Sequence, residues 1–390
     1  MTTRPLPLPR RPLRVLGLMS GTSLDGVDCA VCDCTPRSVR LVRHWRVNFP
    51  PRLRARLEAA ARDATRTWEL GQLHHDLGRF YARAALAGPG RLRVAAVGRV
   101  AAVGLHGQTV FHQPRPPAAT WQIGEPAWLA EVLRVPVVSN FRAADLAAGG
   151  QGAPLATLFH QVAFGRPGEW VCVNNLGGIS NVTSLDWRRR GRAPRVRAFD
   201  TGPANVLLDL AARHFSGGRR ACDRGGRLAA RGRVCEPLLA RWLAHPFFHR
   251  PPPKSTGREE FGEPFWRWVL AAMRRRGLTP EDVLATLTEF TACSLVLNYR
   301  LHLGGRPDRV VLTGGGAANP ELVRRITAQL HAWHPAIAVT DSAVLGWPWA
   351  AVEAAAFALL AAYRLWDLPA NLPATTGARR AVRLGQVTRP

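Results

Sequence analysis

The chain has 390 residues, 47% of them hydrophobic, which is enough for two domains with sizeable cores and excludes a low-complexity or fibrous polymer. Arginine and lysine number 53 against 27 acids, a formal charge of +26 that raises nucleic acid as a partner. The arginines are scattered, with no aromatic-interleaved basic block, so the charge reads as compositional bias and no nucleic-acid partner is expected. Seven dispersed cysteines do not make a disulfide scaffold, and Cys29, Cys32 and Cys34 read as free thiols on one strand. Together with the lack of a signal peptide or a convincing membrane span, they point to a cytoplasmic protein.

Residues 1–13 are basic and proline-rich and read as a tail. Leu13–Met19 and Val27–Cys34 are expected to be strands joined by the small-residue turn Ser20–Gly26. Such a hairpin tip presents backbone N–H groups, hydroxyls and one carboxylate, which suits a phosphate; a plain Gly/Ser turn is the alternative. It is not a Walker A loop, because no lysine follows the second glycine. Helical patterns follow at Arg52–Arg66 and Leu70–Leu86, then a strand at Val94–Val103 ending in Gly104–Thr109. Polar side chains at the end of a buried strand, here Gln108 and Thr109, are where α/β proteins hold ligands, although a simple loop would look the same.

Trp121–Pro126 leads into a helix through Leu133, and Val135–Ser139 reads as the next strand. Residues 140–154 form a glycine-rich loop too polar for a core and too long for a tight turn, followed by a helix over Leu155–Phe164. Then the opening pattern returns: strand Trp170–Asn174, turn Leu176–Asn181, strand Val182–Leu185 and a third strand at Val196–Phe199. Two similar α/β domains facing one another across a cleft are therefore expected, each with a phosphate-cradling hairpin. Asp200 follows the third strand and reads either as a turn cap or as a carboxylate placed for chemistry. Lys254 is the chain's only lysine, and in so arginine-rich a sequence it hints at a specific contact. Strand Arg309–Leu312 feeds Gly314, Gly315 and Gly316, where a ligand could lie against bare backbone, with Asn319 and Pro320 opening the helix Glu321–Leu330. Ala343–Ala362 approaches membrane length, but Pro348 and Glu353 interrupt it, so a buried helix over Trp349–Leu365 is expected and no membrane partner. Glu353, its one acid, reads either as half of a buried arginine pair or as a ligand contact.

Nine motifs in one order carry a resemblance: GLMSGTSLDGVD (17–28), GLHGQTVFHQP (104–114), QIGEPAWLA (122–130), GGQGAPLATLFHQ (149–161), NLGGISNVT (175–183), FDTGPANVLLD (199–209), KSTGREEF (254–261), LTGGGAANPEL (312–322) and NLPATTGA (371–378). From residue 14 to the end the chain resembles the anhydro-N-acetylmuramic acid kinase family, within the sugar-kinase and actin superfamily. The resemblance implies two ribonuclease-H-like domains of the actin/hexokinase type around a central cleft, residues 14–138 with 345–390 and residues 139–344. It implies ATP and Mg²⁺ as cofactors, with Gly21, Thr22, Ser23, Leu24, Asp25, Gly26, Val27 and Asp28 as the first phosphate loop. Gly177 and Gly178 would form the second loop, and Gly314, Gly315 and Gly316 would line the adenosine end. Asp200 would be the catalytic carboxylate, Asp25 the metal holder, and Gln108, Thr109, Arg142, Gln151 and Glu353 would border the sugar.

Family members hydrolyse the 1,6-anhydro bridge of a cell-wall amino sugar and phosphorylate the freed oxygen, and they suggest a homodimer. Asn140 stands where the family usually has Asp, and Ala143 and Ala144 stand where many members carry polar or basic side chains. That motivates two further readings, a kinase for a related amino sugar and a non-catalytic sugar or nucleotide sensor.

Overall fold

The computed structural model describes residues 11–21, 23–88, 100–114, 116–189 and 193–390. The chain divides into two units, residues 1–163 with 350–390 and residues 164–349. The first break thus falls 25 residues later than the sequence places it, between Ala163 and Phe164. The reason is local. The loop after residue 139 is tied to the C-terminal segment of its own unit, with Gln151 N–H donating to the Thr376 carbonyl (2.8 Å) and Arg379 N–H to that of Ala148 (2.9 Å).

In the first unit, β1 (Leu13–Ser20), β2 (Gly26–Thr35) and β3 (Ser38–Asn48) form an antiparallel meander. β4 (Ala102–Gln113) lies parallel to β1, β6 (Val137–Ser139) parallel to β4, and β12 (Gln386–Thr388) closes the edge antiparallel to β6. β5 (Ala119–Ile123) pairs with the outer half of β4. That pairing carries β4 past the GLHGQTV residues, which therefore lie in a strand rather than in a loop beyond one; the expected residues 94–99 fall outside the described part. β3 carries Arg40, Arg43, His44 and Arg46 among its apolar residues, which hid it as a strand.

Leu16, Leu18, Val103 and Leu105 pack one face of the sheet against Leu73, Leu77, Phe80 and Tyr81 of the helix Thr67–Leu86. Alternation turns Gly17 and Gly104 to the other face. There a Cβ on Gly17 would collide with the Ala354 carbonyl, and one on Gly104 with the Phe357 carbonyl. The helix Trp349–Leu365 lies directly on bare strand backbone, and its residues Ala354–Ala362 are all buried. Among the described residues, no helix is long and apolar enough to cross a membrane.

The second unit repeats the plan. β7 (Trp170–Leu176), β8 (Ile179–Asp186) and β9 (Arg195–Pro203) form the meander, β10 (Arg309–Thr313) runs parallel to β7, and β11 (Ala338–Asp341) parallel to β10. Leaving aside the β5 hairpin and the edge strand β12, each sheet therefore runs from the third strand of its meander through the second and first to two parallel strands, β4 and β6 in one unit and β10 and β11 in the other. This is the ribonuclease-H-like topology twice over.

Residues between β9 and β10 build a helical layer that includes Glu236–Leu243, Glu263–Arg276 and Pro280–His302, around an aromatic core of Trp242, Phe247, Phe248, Phe261, Phe265 and Phe290. Arg274, Arg275 and Arg276 are exposed in the last turn of their helix, where cations meet the negative end of the helix dipole. Cys29, Cys32, Cys34 and Cys172 are buried free thiols.

Candidate active site

Each unit gathers its predicted residues at the ends of its central strands. In the first unit the turn between β1 and β2 is closed by Leu24 N–H donating to the Gly21 carbonyl (3.3 Å), with Leu24 at φ +55°. Thr22 lies outside the described residues, and a Cβ on Gly21 would meet nothing within 4 Å. Ser20 Oγ lies 2.6 Å from the Tyr81 hydroxyl, and buried Gln108 donates through Nε2 to the Gly21 carbonyl (3.2 Å). Gln108 Oε1 is buried without a partner. Thr109 Oγ1 accepts from Gln122 Nε2 (3.3 Å).

The two acids of the turn differ. Asp25 is exposed and sits within 3.7 Å of the Arg46 guanidinium and 3.5 Å of that of Arg54. Asp28 has a buried Oδ1 with no hydrogen-bond partner. Burial pushes its carboxyl up to about 6, opposed by Arg46 and reinforced by Asp25.

Arg142 reaches back to the same strand end. Its NH2 lies 2.9 Å from His106 Nε2 and its NH1 donates to the Gly152 carbonyl (2.8 Å). His106 Nδ1 lies 2.7 Å from the Gly107 carbonyl, so the proton sits on Nδ1 and the Nε2 lone pair accepts from Arg142. Burial, and then the Arg142 charge, hold His106 well below its ordinary pKa. Burial lowers Arg142 to about 10, with Glu353 pulling the other way. Glu353 makes no hydrogen bond or ion pair among the described residues and keeps an accessible face. It is therefore no half of a close arginine pair; the surrounding protein raises its pKa, Asp28 adds to that, and Arg142 opposes it. Gln151 is exposed.

Asn140 takes φ +53°, a left-handed conformation that Asn and Asp tolerate better than other side chains. The departure from Asp at 140 thus keeps what the backbone needs. Asp145, which sequence reasoning passed over, is fully buried and accepts from Gly152 N–H (2.8 Å), Asn371 Nδ2 (2.7 Å) and Thr376 Oγ1 (2.7 Å). It ties the glycine-rich loop to the NLPATTGA motif.

In the second unit Gly177 and Gly178 form the β7–β8 turn, and their carbonyls accept from the N–H groups of Asn205 (3.0 Å), Ala204 (3.0 Å) and Val206 (3.1 Å) at the start of the helix Asn205–Phe215. Asn205 Nδ2 donates to the Leu176 carbonyl (2.9 Å), another contact the sequence did not single out. The Gly314–Gly316 loop closes on the same place. A Cβ on Gly314, at φ +81°, would strike Asn175 and Leu176, and one on Gly316 would strike Leu176. These two glycines are therefore demanded by packing. Gly177, Gly178 and Gly315 are not, since a Cβ there would find no atom nearer than 3.4 Å.

Asp200 owes its place to a β-bulge. Asn181 faces Asp200 and Ser180 faces Gly202, so Thr201 is the extra residue. Thr201 is buried and donates to Ser180 Oγ (2.6 Å), and Asn298 Nδ2 donates to its carbonyl (3.0 Å). A bulge of this kind re-aims the neighbouring side chain, and it lets β9 continue to Pro203 rather than stop at Phe199. Asp200 Oδ2 accepts from Thr256 N–H (2.9 Å), and Asp200 N–H donates to the Lys254 carbonyl (3.2 Å). Burial pushes the Asp200 carboxyl up to about 7; the Thr256 N–H opposes this, Glu259 adds to it and the Lys254 ammonium opposes it. A carboxyl in that range can take up and return a proton near neutrality.

The family model for anhydro-N-acetylmuramic acid kinase matches residues 13–390. The chain belongs to that family. It is therefore an enzyme, a sugar kinase of the phosphotransferase class. A relative from Synechococcus elongatus is 43% identical over 391 residues, spanning 96% of this chain and 99% of its own length, and bears the same description. Another, from Variovorax paradoxus, is 41% identical over 389 residues, spanning 95% and 98%. A solved structure, the ADPNP-bound activator of 2-hydroxyisocaproyl-CoA dehydratase from Clostridium difficile, is similar at 12% identity and a TM-score of 0.43, covering 89% of this chain and 93% of its own.

Proposed function

We propose that this kinase uses ATP to open the internal bridge of 1,6-anhydro-N-acetylmuramic acid with water and to phosphorylate the freed O6, giving N-acetylmuramic acid 6-phosphate and ADP, as in peptidoglycan recycling. The observation that carries this reading is Asp200, a bulge-aimed carboxyl whose pKa is raised to about 7 and whose second oxygen has no hydrogen bond among the described residues.

The substrate's O6 is tied into an acetal and cannot attack phosphorus until C1–O6 weakens. Asp200 takes one proton from water as the water oxygen bonds to C1. The C1–O6 pair stays on O6, O6 bonds to the γ-phosphorus, and the pair of the broken P–O bond leaves with ADP. One proton is released overall. General-base help of this kind contributes roughly 10²–10⁴-fold.

A Cβ would meet nothing within 4 Å at Gly21 and only ordinary contacts at 3.4–3.9 Å at Gly177, Gly178 and Gly315, which suits these glycines to backbone contacts with the nucleotide's phosphates and base. Mg²⁺ accompanying ATP would neutralise phosphate charge. Asp28, whose Oδ1 is orphaned although Arg46 lies 3.8 Å from its Oδ2, fits that ion better than Asp25, which Arg46 and Arg54 both approach. Gln108, Thr109, Arg142, Gln151 and Glu353 would border the sugar, and Arg142 supplies the positive charge that its lactyl carboxylate requires. ATP as co-substrate supports a cytoplasmic location. A homodimer belongs to the same reading, and sedimentation of the full chain at twice the monomer mass checks it.

The test is the mass of the product formed from ATP, Mg²⁺ and the anhydro sugar. Gain of one phosphoryl group and one water supports the reading. Gain of a phosphoryl group alone contradicts ring opening, and ATP binding without ADP release points to a sensor.

A further inference from the structure

Lys254 is the only lysine among 53 cationic side chains. Its Nζ donates to the carbonyls of Phe247 (3.1 Å) and Phe248 (3.0 Å) at the end of the short helix Pro246–His249, and lies 3.2 Å from His302 Nε2. His302 Nε2 also lies 3.0 Å from the Phe248 carbonyl and, as a donor to it, does not accept from the ammonium, so the two carbonyls are the acceptors that hold Nζ. A compact ammonium meets both at one point; a planar guanidinium with a fixed fork does not. One peptide bond along, the Lys254 carbonyl accepts from Asp200 N–H, and two residues further Thr256 N–H donates to the Asp200 carboxylate. Thr256 Oγ1 is in turn fixed by Glu260 (2.7 Å).

We propose that Lys254 is a positioning residue for Asp200: its ammonium, pinned by the Phe247 and Phe248 carbonyls, locks the loop 254–256 that holds both the backbone and the carboxylate of the base. The proposal rests on the reading of Asp200 as proton acceptor. The charges facing the pair are those of Glu259 on Asp200 and Arg250 on Lys254, with His302 and His249 beside them and Glu260 beyond Thr256. Burial lowers the Lys254 ammonium to about 8; Arg250 lowers it further and Asp200 opposes both. The lock therefore releases on the alkaline side of neutrality.

A single lysine makes the test direct. Protein labelled with ¹³C-lysine gives one Cε resonance, and its pH titration reads Lys254 alone. In the wild type it should titrate near 8. In Asp200→Asn it should titrate lower, because a carboxylate that favours the ammonium has gone. An ordinary value near 10.4 in both proteins would overturn the coupling without reference to activity.

Kinetics complete the test. Lys254→Arg stays charged above pH 8, so its alkaline limb of activity should move to higher pH, while kcat falls at least about tenfold because the loop is misplaced. Lys254→Met should move the acidic limb to higher pH, because Asp200 loses a neighbouring cation. Wild-type kcat and pH profiles in both folded variants would overturn the proposal. If Lys254→Met does not fold, Lys254→Arg and the titration still decide. Full activity in Asp200→Asn would instead sink the assignment of the base, whereas an inactive Asp200→Asn beside unaltered Lys254 variants would sink only the role of Lys254.

Discussion

A carboxylate with no exposed surface needs a donor for the lone pairs it keeps, and Asp145 has three. Asp145→Ala would strand Gly152 N–H, Asn371 and Thr376 in the interior. A loss of roughly 3–5 kcal/mol is expected, read as a lower denaturant midpoint with unchanged slope. Asp200 works in the opposite sense. Its pKa is raised in the folded state, so between the ordinary carboxylate value and about 7 the native protein binds more protons than the unfolded chain. Stability from this group therefore falls as pH rises through that window and stays lowered above it. Asp200→Asn should melt a few degrees higher than wild type at pH 8, with no gain at pH 4. Wild-type activity should rise with pH through about 7, since only the ionised carboxylate can act as base. The resemblance pointed to Asp200, but its raised pKa was not legible, because that comes from burial in the folded chain and from Glu259, more than 50 residues along it. Asp145 looked like one polar residue in a loop for the same reason: its partners lie at 371 and 376.

At the scale of elements, packing separates the glycines into two kinds. Gly104→Val would drive a side chain into the Phe357 carbonyl and push the helix Trp349–Leu365 off β4. A loss of at least about 1–3 kcal/mol is expected, with little soluble protein as the extreme outcome. Gly315→Ala adds a methyl where nothing but Asn205 Nδ2 lies within 4 Å. It should leave the melting temperature unchanged and raise KM for ATP about tenfold, an effect on binding rather than on folding. The repeated strand–turn–strand pattern made both meanders' first hairpins legible, and the apolar run at 349–365 fixed its helix. The long helix Pro280–His302 was not legible, because buried Thr286, Thr288, Thr291, Ser294 and Asn298 interrupt its apolar periodicity. The hydroxyls of Thr286, Thr288 and Ser294 bond backbone carbonyls, as Thr288 Oγ1 does to Leu284 (2.7 Å), and Asn298 Nδ2 donates to those of Ser294 and Thr201, so these donors are satisfied inside the core.

For the molecule as a whole, some arginines are structural, although paired ones add nothing to the +26 excess. Arg325, nearly buried, bonds Glu289 (2.7 Å) and Glu321 (2.6 Å), and Arg309 pairs with Glu169 (2.7 Å). The remaining arginines are spread over both units, so DNA should be retained only weakly and released by salt well below the physiological range; tight, sequence-independent binding would show that the charge has a partner. The central claim is that Asp200 is the base of a combined hydrolysis and phosphorylation. The measurement that meets it most directly is ADP release from ATP, Mg²⁺ and 1,6-anhydro-N-acetylmuramic acid by wild type and by Asp200→Asn, with ATP binding and melting temperature as controls. The account predicts turnover by wild type and a loss of at least about 10²-fold in the variant, with ATP binding retained. Equal turnover by the two proteins would contradict it and leave Asp200 as a turn residue of the bulge.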